Sequence, residues 1–328
     1  MNEDASRARF GELAHGYESF YLRACRPEGG LGVWIRYTVH RRRDAAPTGS
    51  LWFTLFDADA PGPVAAKLTL PGPSTADGEW IKIGDARIGK GGADGAIGDI
   101  RWELDFQGAE VLRHLPSEWM YKSALPKTKP LSLHPIARFD GTITVYGKEI
   151  QLSGWPGMVG HNWGTQHAER WIWLHGLGFE GADDGTWLDV VLAKVKLAGR
   201  TTPWIASGAI SMSGNRFPLG GPRRLRGTRV QETPDRLEFV LPGRGIAVSG
   251  TVRAPREQFV GWIYADPDGS QHHAVNCSIA DLDLWVSRGD ERLIGLTSVG
   301  RNAYELGMRE TDHGMRIQPF PDGEAPGS

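Results

Sequence analysis

The sequence is short of cysteine, of lysine and of long apolar runs. Cys25 and Cys277 are the two thiols in 328 residues. Far apart and without an export signal, they read as reduced cytoplasmic thiols. Cys277, between Val275-Asn276 and Ser278-Ile279, reads as an inert mid-strand thiol. No run approaches the ~20 apolar residues of a membrane helix. Met1 to Ala14 is polar and mixed in charge, with no apolar core or small-residue cleavage site, and is not expected to be a secretory signal. A basic excess is also missing. Lys and Arg number 37 against 39 Asp and Glu, a net charge of −2. Nothing is left over to neutralise phosphates, which argues against a nucleic-acid partner. No nucleotide fingerprint and no G-x-S-x-G elbow is present. A nicotinamide or flavin cofactor and a serine nucleophile are therefore not expected.

What the chain does have is glycine, proline and tryptophan: 44 Gly, 21 Pro and 13 Trp, in a sequence 40% apolar and 23% charged. Gly and Pro at that density, with no collagen period, indicate many turns between short strands. The dominant period is two. Gly32 to Val39 and Ser50 to Asp57 read as strands, and Thr142–Val145, Tyr146-Gly147-Lys148 and Glu149–Leu152 as a hairpin. Asp266-Pro267-Asp268-Gly269 is a turn between two later strands. Gly89 to Gly98 lacks the ending of a phosphate loop and reads as a connection. Ser117 to Pro135 reads as an irregular cover over a sheet edge or barrel end. Arg41-Arg42-Arg43 reads as a solvated loop. Helices are expected at Ser6–Leu13 and in a short piece after Val299.

About seventeen strands exceed what one sheet holds without splitting or closing. The expectation is all-β: two lipocalin-like antiparallel barrels or sandwiches, at 15–155 and 156–320. Trp34-Ile35-Arg36-Tyr37 followed by Ser50-Leu51-Trp52 is echoed by Trp171-Ile172-Trp173-Leu174 followed by Gly185-Thr186-Trp187, consistent with two related units.

The densest chemistry lies in Gly154–Gly178, GWPGMVGHNWGTQHAERWIWLHGLG, with four Trp, three His, one Asn and one Glu. On a strand from Arg170, the side chains of Trp171, Trp173 and His175 share one face. Trp187, Asp189 and Val191 share a face of the next strand, and paired as a hairpin the two could line one cavity. Read as structure instead, the Trp residues are core and His161-Asn162 bond their own loop. His161, His167 and His175 lack helical zinc spacing, and no metal is expected.

Gly160-His161-Asn162-Trp163-Gly164, followed by Arg170-Trp171-Ile172-Trp173, resembles the central signature of the carotenoid hydratase and tocopherol cyclase-like superfamily. The AttH-like proteins and some β-barrel Diels–Alderases are distant members of that double-calycin group. Tyr17–Arg23 and Gly32–Tyr37 resemble the first strands of its bacterial members. The resemblance implies two lipocalin-like domains with an apolar pocket near their junction. In hydratase-like members an acidic residue suited to protonating an alkene precedes the His-Asn pair. Here that position is Gly160, so His161, Glu169 or Asp189 would have to carry the proton.

The expected function is a cofactor-independent hydratase, cyclase or isomerase acting on an isoprenoid- or polyketide-like substrate. Its catalytic candidates are His161, Glu169 and Asp189. Its substrate-binding candidates are Asn162, Trp163, Trp171, Trp173, His175 and Trp187. The alternative is a non-catalytic binder of an apolar small molecule or lipid, and a third reading is a structural protein with filled barrels. A titratable group facing into the pocket discriminates enzyme from binder. The expected location is cytoplasmic or membrane-peripheral. The sequence leaves the ligand and the oligomeric state open.

Overall fold

The computed structural model describes residues 6–324 except 44, 76–78, 109, 198 and 290. The first eleven strands are β1 Gly16–Cys25, β2 Leu31–Arg41, β3 Thr48–Asp57, β4 Val64–Pro71, β5 Glu79–Ile83, β6 Ala86–Gly89, β7 Gly92–Ile97, β8 Ile100–Gln107, β9 Leu112–Arg113, β10 Thr128–Val145 and β11 Lys148–Gly164. The rest are β12 Arg170–Leu177, β13 Trp187–Lys194, β14 Lys196–Leu197, β15 Arg200–Thr201, β16 Ile205–Met212, β17 Asn215–Gly220, β18 Arg229–Thr233, β19 Arg236–Pro242, β20 Ala247–Arg253, β21 Val260–Ala265, β22 Gln271–Arg288, β23 Glu291–Met308 and β24 Ile317–Pro321. A short α-helix, α1, spans Trp119–Lys122, and 3-10 turns span Pro222–Gly227 and Arg256–Gln258.

The expected all-β, lipocalin-like architecture is what the chain adopts. An 11-stranded sheet runs β4-β3-β2-β1-β11-β10-β8-β7-β6-β5, with β9 added on β10. A second 11-stranded sheet runs β17-β16-β13-β12-β23-β22-β20-β19-β18, with β21 added on β22 and β24 on β21. Pairing is antiparallel except for a short parallel contact between β21 and β24. The first sheet curls until its two ends meet: a Cβ placed on Gly49 of β3 would lie 2.7 Å from Ile83 of β5.

Each sheet reads from its sequence. In β8, Ile100-Arg101-Trp102-Glu103-Leu104-Asp105-Phe106, burial alternates strictly, so one face fills the first core and the other meets water. By contrast β2 is buried on both faces. Val33, Ile35, Tyr37 and Val39 enter the core inside the curled sheet, while Trp34 joins the core shared with the second sheet. The β10–β11 hairpin turns through Tyr146 and Gly147, at φ 50° and 81°. Two successive left-handed residues fit the twist of paired strands.

Several local expectations are corrected. Residues 7–13 form turns and extended backbone, not a helix, and the segment after Val299 is the second half of β23. Tyr304, Leu306 and Met308 are wholly buried there, and extended pairing with β12 and β22 overrides any helical pattern. Part of the glycine-rich connection forms β7, because Gly95 leaves room for the ring of Trp102 on the neighbouring strand. The irregular 117–135 segment contains α1 and the start of β10. Both cysteines are free and buried, and burial pushes the Cys277 thiol up to about 12, the inert state expected of it.

Candidate functional site

The β12–β13 hairpin forms in the expected register, with His175 opposite Asp189 and Trp173 opposite Val191. It packs over the outer face of β1 and β11, and a cavity of about 1000 Å³ opens between the sheets. Apolar and aromatic side chains make up most of its wall, among them Tyr21, Trp34, Ile172, Trp173, Leu192 and Ala206.

Strand alternation decides which motif residues reach it. On β11, Asn162 lines the cavity. His161 and Trp163, its neighbours in sequence, turn into the core of the first sheet. His161 is wholly buried, stacks between Phe20 and Trp163 at 3.9 and 4.5 Å, and bonds Glu18 through Nε2 at 2.7 Å. Glu18 also accepts the backbone N–H groups of Arg9 and Phe10. The pair ties β11 to β1 and to the segment before it, away from the cavity.

Gly160 shares the cavity-side face with Asn162. A Cβ there would lie 2.2 Å from the ring of Tyr21, so the Tyr21 phenol fills the space a side chain at 160 would need. Burial, then the nearby Asp189 and Glu305 carboxylates, raise the Tyr21 pKa well above its ordinary value. Tyr21 is thus a neutral hydroxyl in the wall, set edge-on to Trp173 at 5.5 Å.

The other expected residues divide as follows. Trp171, Trp173 and Glu169 line the cavity; Glu169 is held by Arg309 at 3.1 Å. Asp189 lies just behind the wall, where it accepts the Trp173 indole N–H at 3.3 Å and the Ser132 hydroxyl. Ser132 in turn meets Nε2 of His114, which lines the cavity. His175 is sealed between the sheets, and Trp187 packs with Leu112 and Ala209 beneath the Arg216 guanidinium.

His175 belongs to the joint between the sheets. The wholly buried Arg23 guanidinium donates to His175 Nδ1 at 2.8 Å and to the carbonyls of Ser278 and Arg301 at 3.0 and 2.6 Å. His175 Nε2 then donates to the Pro135 carbonyl at 2.8 Å. Burial, helped by the Arg23 charge, pushes the imidazole down to about 4, so it is the neutral Nε2–H tautomer at working pH.

One end of the cavity gathers polar groups beyond the expected site residues. Glu305 of β23 accepts Trp171 Nε1–H at 2.8 Å, Asn276 at 3.2 Å and the Tyr264 hydroxyl at 3.3 Å. Arg36 stacks on the Tyr264 ring at 4.1 Å and donates to Ser19 at 2.8 and 3.0 Å. Beside them, His167 stacks on Tyr17 at 4.1 Å. Asp266 accepts both the His167 backbone N–H and Nδ1–H at 2.7 Å. That fixes the ring through Nδ1 and leaves Nε2 buried and unpartnered. Burial acts to raise the Asp266 pKa, but the His167 bonds outweigh it and hold it below the ordinary carboxylate value.

The signal for two of these residues is a charge inside an otherwise apolar strand: Arg36 in Trp34–Tyr37 and Glu305 in Ala303–Met308. A charge there must be paired or functional.

His167, Asp266 and His272 are buried and offer donor atoms within 4.8 Å of one another. The His167–Asp266 distance of 2.7 Å is that of a hydrogen bond. Two ligands of one tetrahedral zinc stand roughly 3.3 Å apart at ordinary bond lengths. The arrangement is thus a His–Asp dyad with His272 beside it. His161 and His175 lie elsewhere in the fold.

No family model matches the chain. Two uncharacterized proteins of Mycobacterium tuberculosis, in strains H37Rv and CDC 1551, are each 27% identical over 313 residues, which is 94% of this chain and 91% of theirs. Among solved structures, a candidate AttH from Nitrosomonas europaea superposes with a TM-score of 0.54 at 11% identity over 90% of this chain and 93% of its own. The chain shares the fold of the AttH-like group. Kievitone hydratase from Nectria haematococca gives 0.52 at 10% identity over 96% and 93%. CghA, solved with Sch210972, gives 0.58 at 12% over 90% and 89%. At these identities the likeness is one of fold.

Proposed function

We propose that the protein is a cofactor-independent hydratase, cyclase or isomerase whose substrate is an apolar, isoprenoid- or polyketide-like molecule held between the two sheets. The two sheets are taken as its two domains, meeting in the segment between β11 and β12. The observation that carries the reading is His167, locked on Asp266 through Nδ1 with Nε2 unused, in the wall of a largely apolar cavity. It meets the requirement that separates enzyme from binder, a titratable group on the cavity wall. A hydratase among the proteins of this fold is consistent with it.

In this reading the cavity folds the substrate into a reactive conformer, which is catalysis by positioning. His167 Nε2 moves a proton to or from a substrate carbon or hydroxyl, and Asp266 holds the imidazole in place. Charge developing on the substrate is stabilised by the ring faces of Trp171 and Tyr264 and by the Glu305 carboxylate. Tyr21 and Asn162 orient a polar substituent; the Asn162 carbonyl oxygen is buried without a partner. Trp173 supplies apolar contact.

The test uses polyprenyl alcohols as probes. Quenching of tryptophan fluorescence reads loading, and mass spectrometry after incubation in D2O reads proton transfer to carbon. Wild type should load and exchange. His167→Asn should load equally and lose exchange by a factor of ~10²–10⁴, the range for general acid–base groups. Loading with no exchange in wild type supports the binder instead.

A further inference from the structure

The cavity is closed at one end and open at the other. At the open end its lining includes Trp119, Leu125 and Leu197, which are 65%, 60% and 56% exposed. Three of the most exposed large apolar side chains among the described residues thus surround one opening. They stand on three different pieces of chain: α1, the loop after it, and the small β14–β15 hairpin. A soluble surface does not ordinarily place an exposed tryptophan beside two exposed leucines without a partner.

The charge around this opening departs from that of the whole chain. The exposed cations Lys122, Lys127, Lys196, Arg200, Arg223 and Arg226 lie on the segments 115–130, 193–201 and 221–227 that supply the rim, and Glu118 is the one acidic residue on them. A chain of net charge −2 therefore carries a basic collar around an apolar lip. Lysine is scarce, yet Lys122, Lys127, Lys129, Lys194 and Lys196, five of the nine, fall on these segments.

We infer that this rim docks on an anionic lipid bilayer. Trp119, Leu125 and Leu197 would enter the boundary between headgroups and acyl chains while the collar meets anionic headgroups. Tryptophan suits that depth because its ring is apolar and its N–H stays wet. Lys and Arg suit it because their stems lie along apolar surface while the charge reaches the headgroups. A second copy of the chain fits less well, since two such collars would face each other with like charge. The inference rests on the cavity's taking an apolar molecule, which could then pass from the bilayer into the cavity without crossing water.

The test is flotation of the full chain with vesicles of phosphatidylcholine, with and without phosphatidylglycerol. Binding is expected to the anionic vesicles only and to fall steeply with added salt. Trp119→Ala with Leu125→Ala should abolish it. Lys122→Gln, Arg200→Gln and Arg223→Gln together should weaken it on the order of a hundredfold, about fivefold per charge. These three lie outside the cavity lining, so loading of a polyprenyl alcohol in detergent-free buffer should be unchanged. That separates failure of docking from failure of the cavity reading. No flotation, equal binding to neutral vesicles, or self-association that disappears with Trp119→Ala overturns the proposal.

Discussion

The two faces of β11 make the most instructive contrast in the molecule. Residues 160–163 alternate between a dry, filled core and an open cavity. His161 and Trp163 are held by stacking on each other, and His161 also by its buried hydrogen bond to Glu18. Asn162 borders space a ligand can use, and Gly160, on the same face, is covered by the Tyr21 ring. A sequence motif on a strand is thus two half-motifs with different physical duties. One half positions the strand; the other half meets what the strand is positioned for.

The strongest test of the contrast is on the filled face. His161→Ala leaves Glu18 with a buried carboxylate short of a partner and opens a cavity between Phe20 and Trp163, and should cost about 3–5 kcal/mol of stability. Urea unfolding reads the loss, and polyprenyl alcohol loading of the folded fraction should be unchanged. If loading fails while stability holds, the assignment of faces is wrong.

Next comes Gly160→Ala. Its added methyl group collides with the Tyr21 ring, and overpacking of this kind costs about 1–3 kcal/mol. Pairing it with Tyr21→Ala should recover much of the loss, so a double-mutant cycle in urea should show strong coupling. Additive effects would mean that the two do not share that space.

On the open face, Trp173→Ala should weaken ligand binding by about 1–3 kcal/mol through lost apolar contact, measured by fluorescence titration. Asn162→Ala should shift the unfolding midpoint by less than either His161→Ala or Gly160→Ala, since its carbonyl oxygen has no partner to lose. A fall in stability as large as that of His161→Ala would erase the distinction between the faces.

The effect that appears only at the edge of the pH range concerns acid. His175 is neutral in the fold, with its pKa lowered to about 4, and takes up a proton near its ordinary value once unfolded. Its contribution is full above pH ~6.5 and is lost as pH falls toward about 4, at most roughly 3 kcal/mol over that window. His272, pushed down to about 3 by burial and its neighbour His167, acts with the same sign. His175→Gln should therefore flatten, without abolishing, the decline of urea midpoints between pH 7 and pH 4.5.

The all-β architecture was legible because period-two alternation and turn spacing are local properties of the chain. The turns at Tyr146-Gly147 and Asp266–Gly269 and the Trp171/Asp189 hairpin were legible for the same reason. The direction of His161 was harder. A curled sheet has two covered faces, and hydrophobicity does not say which one is the cavity. Nor could the partners of Glu305, Arg36 and His167 be read, because Tyr264, Asp266 and Asn276 lie far along the chain and arrive through topology. Even so, Arg36 and Glu305 each stand inside an apolar strand, and that anomaly is visible in the sequence.

Arg23 has a further consequence, and it is kinetic. Its guanidinium, clasped by one imidazole and two carbonyls from the opposite sheet, acts as a rivet through the frame. Parting the sheets would break all three bonds of this buried cation together, so in the proposed reading the frame stays closed while a guest exchanges. Exchange of the guest is then governed by the lip alone. Substitutions in α1 or the β14–β15 hairpin should change how long a molecule stays, and substitutions along the seam should change only how long the protein lasts.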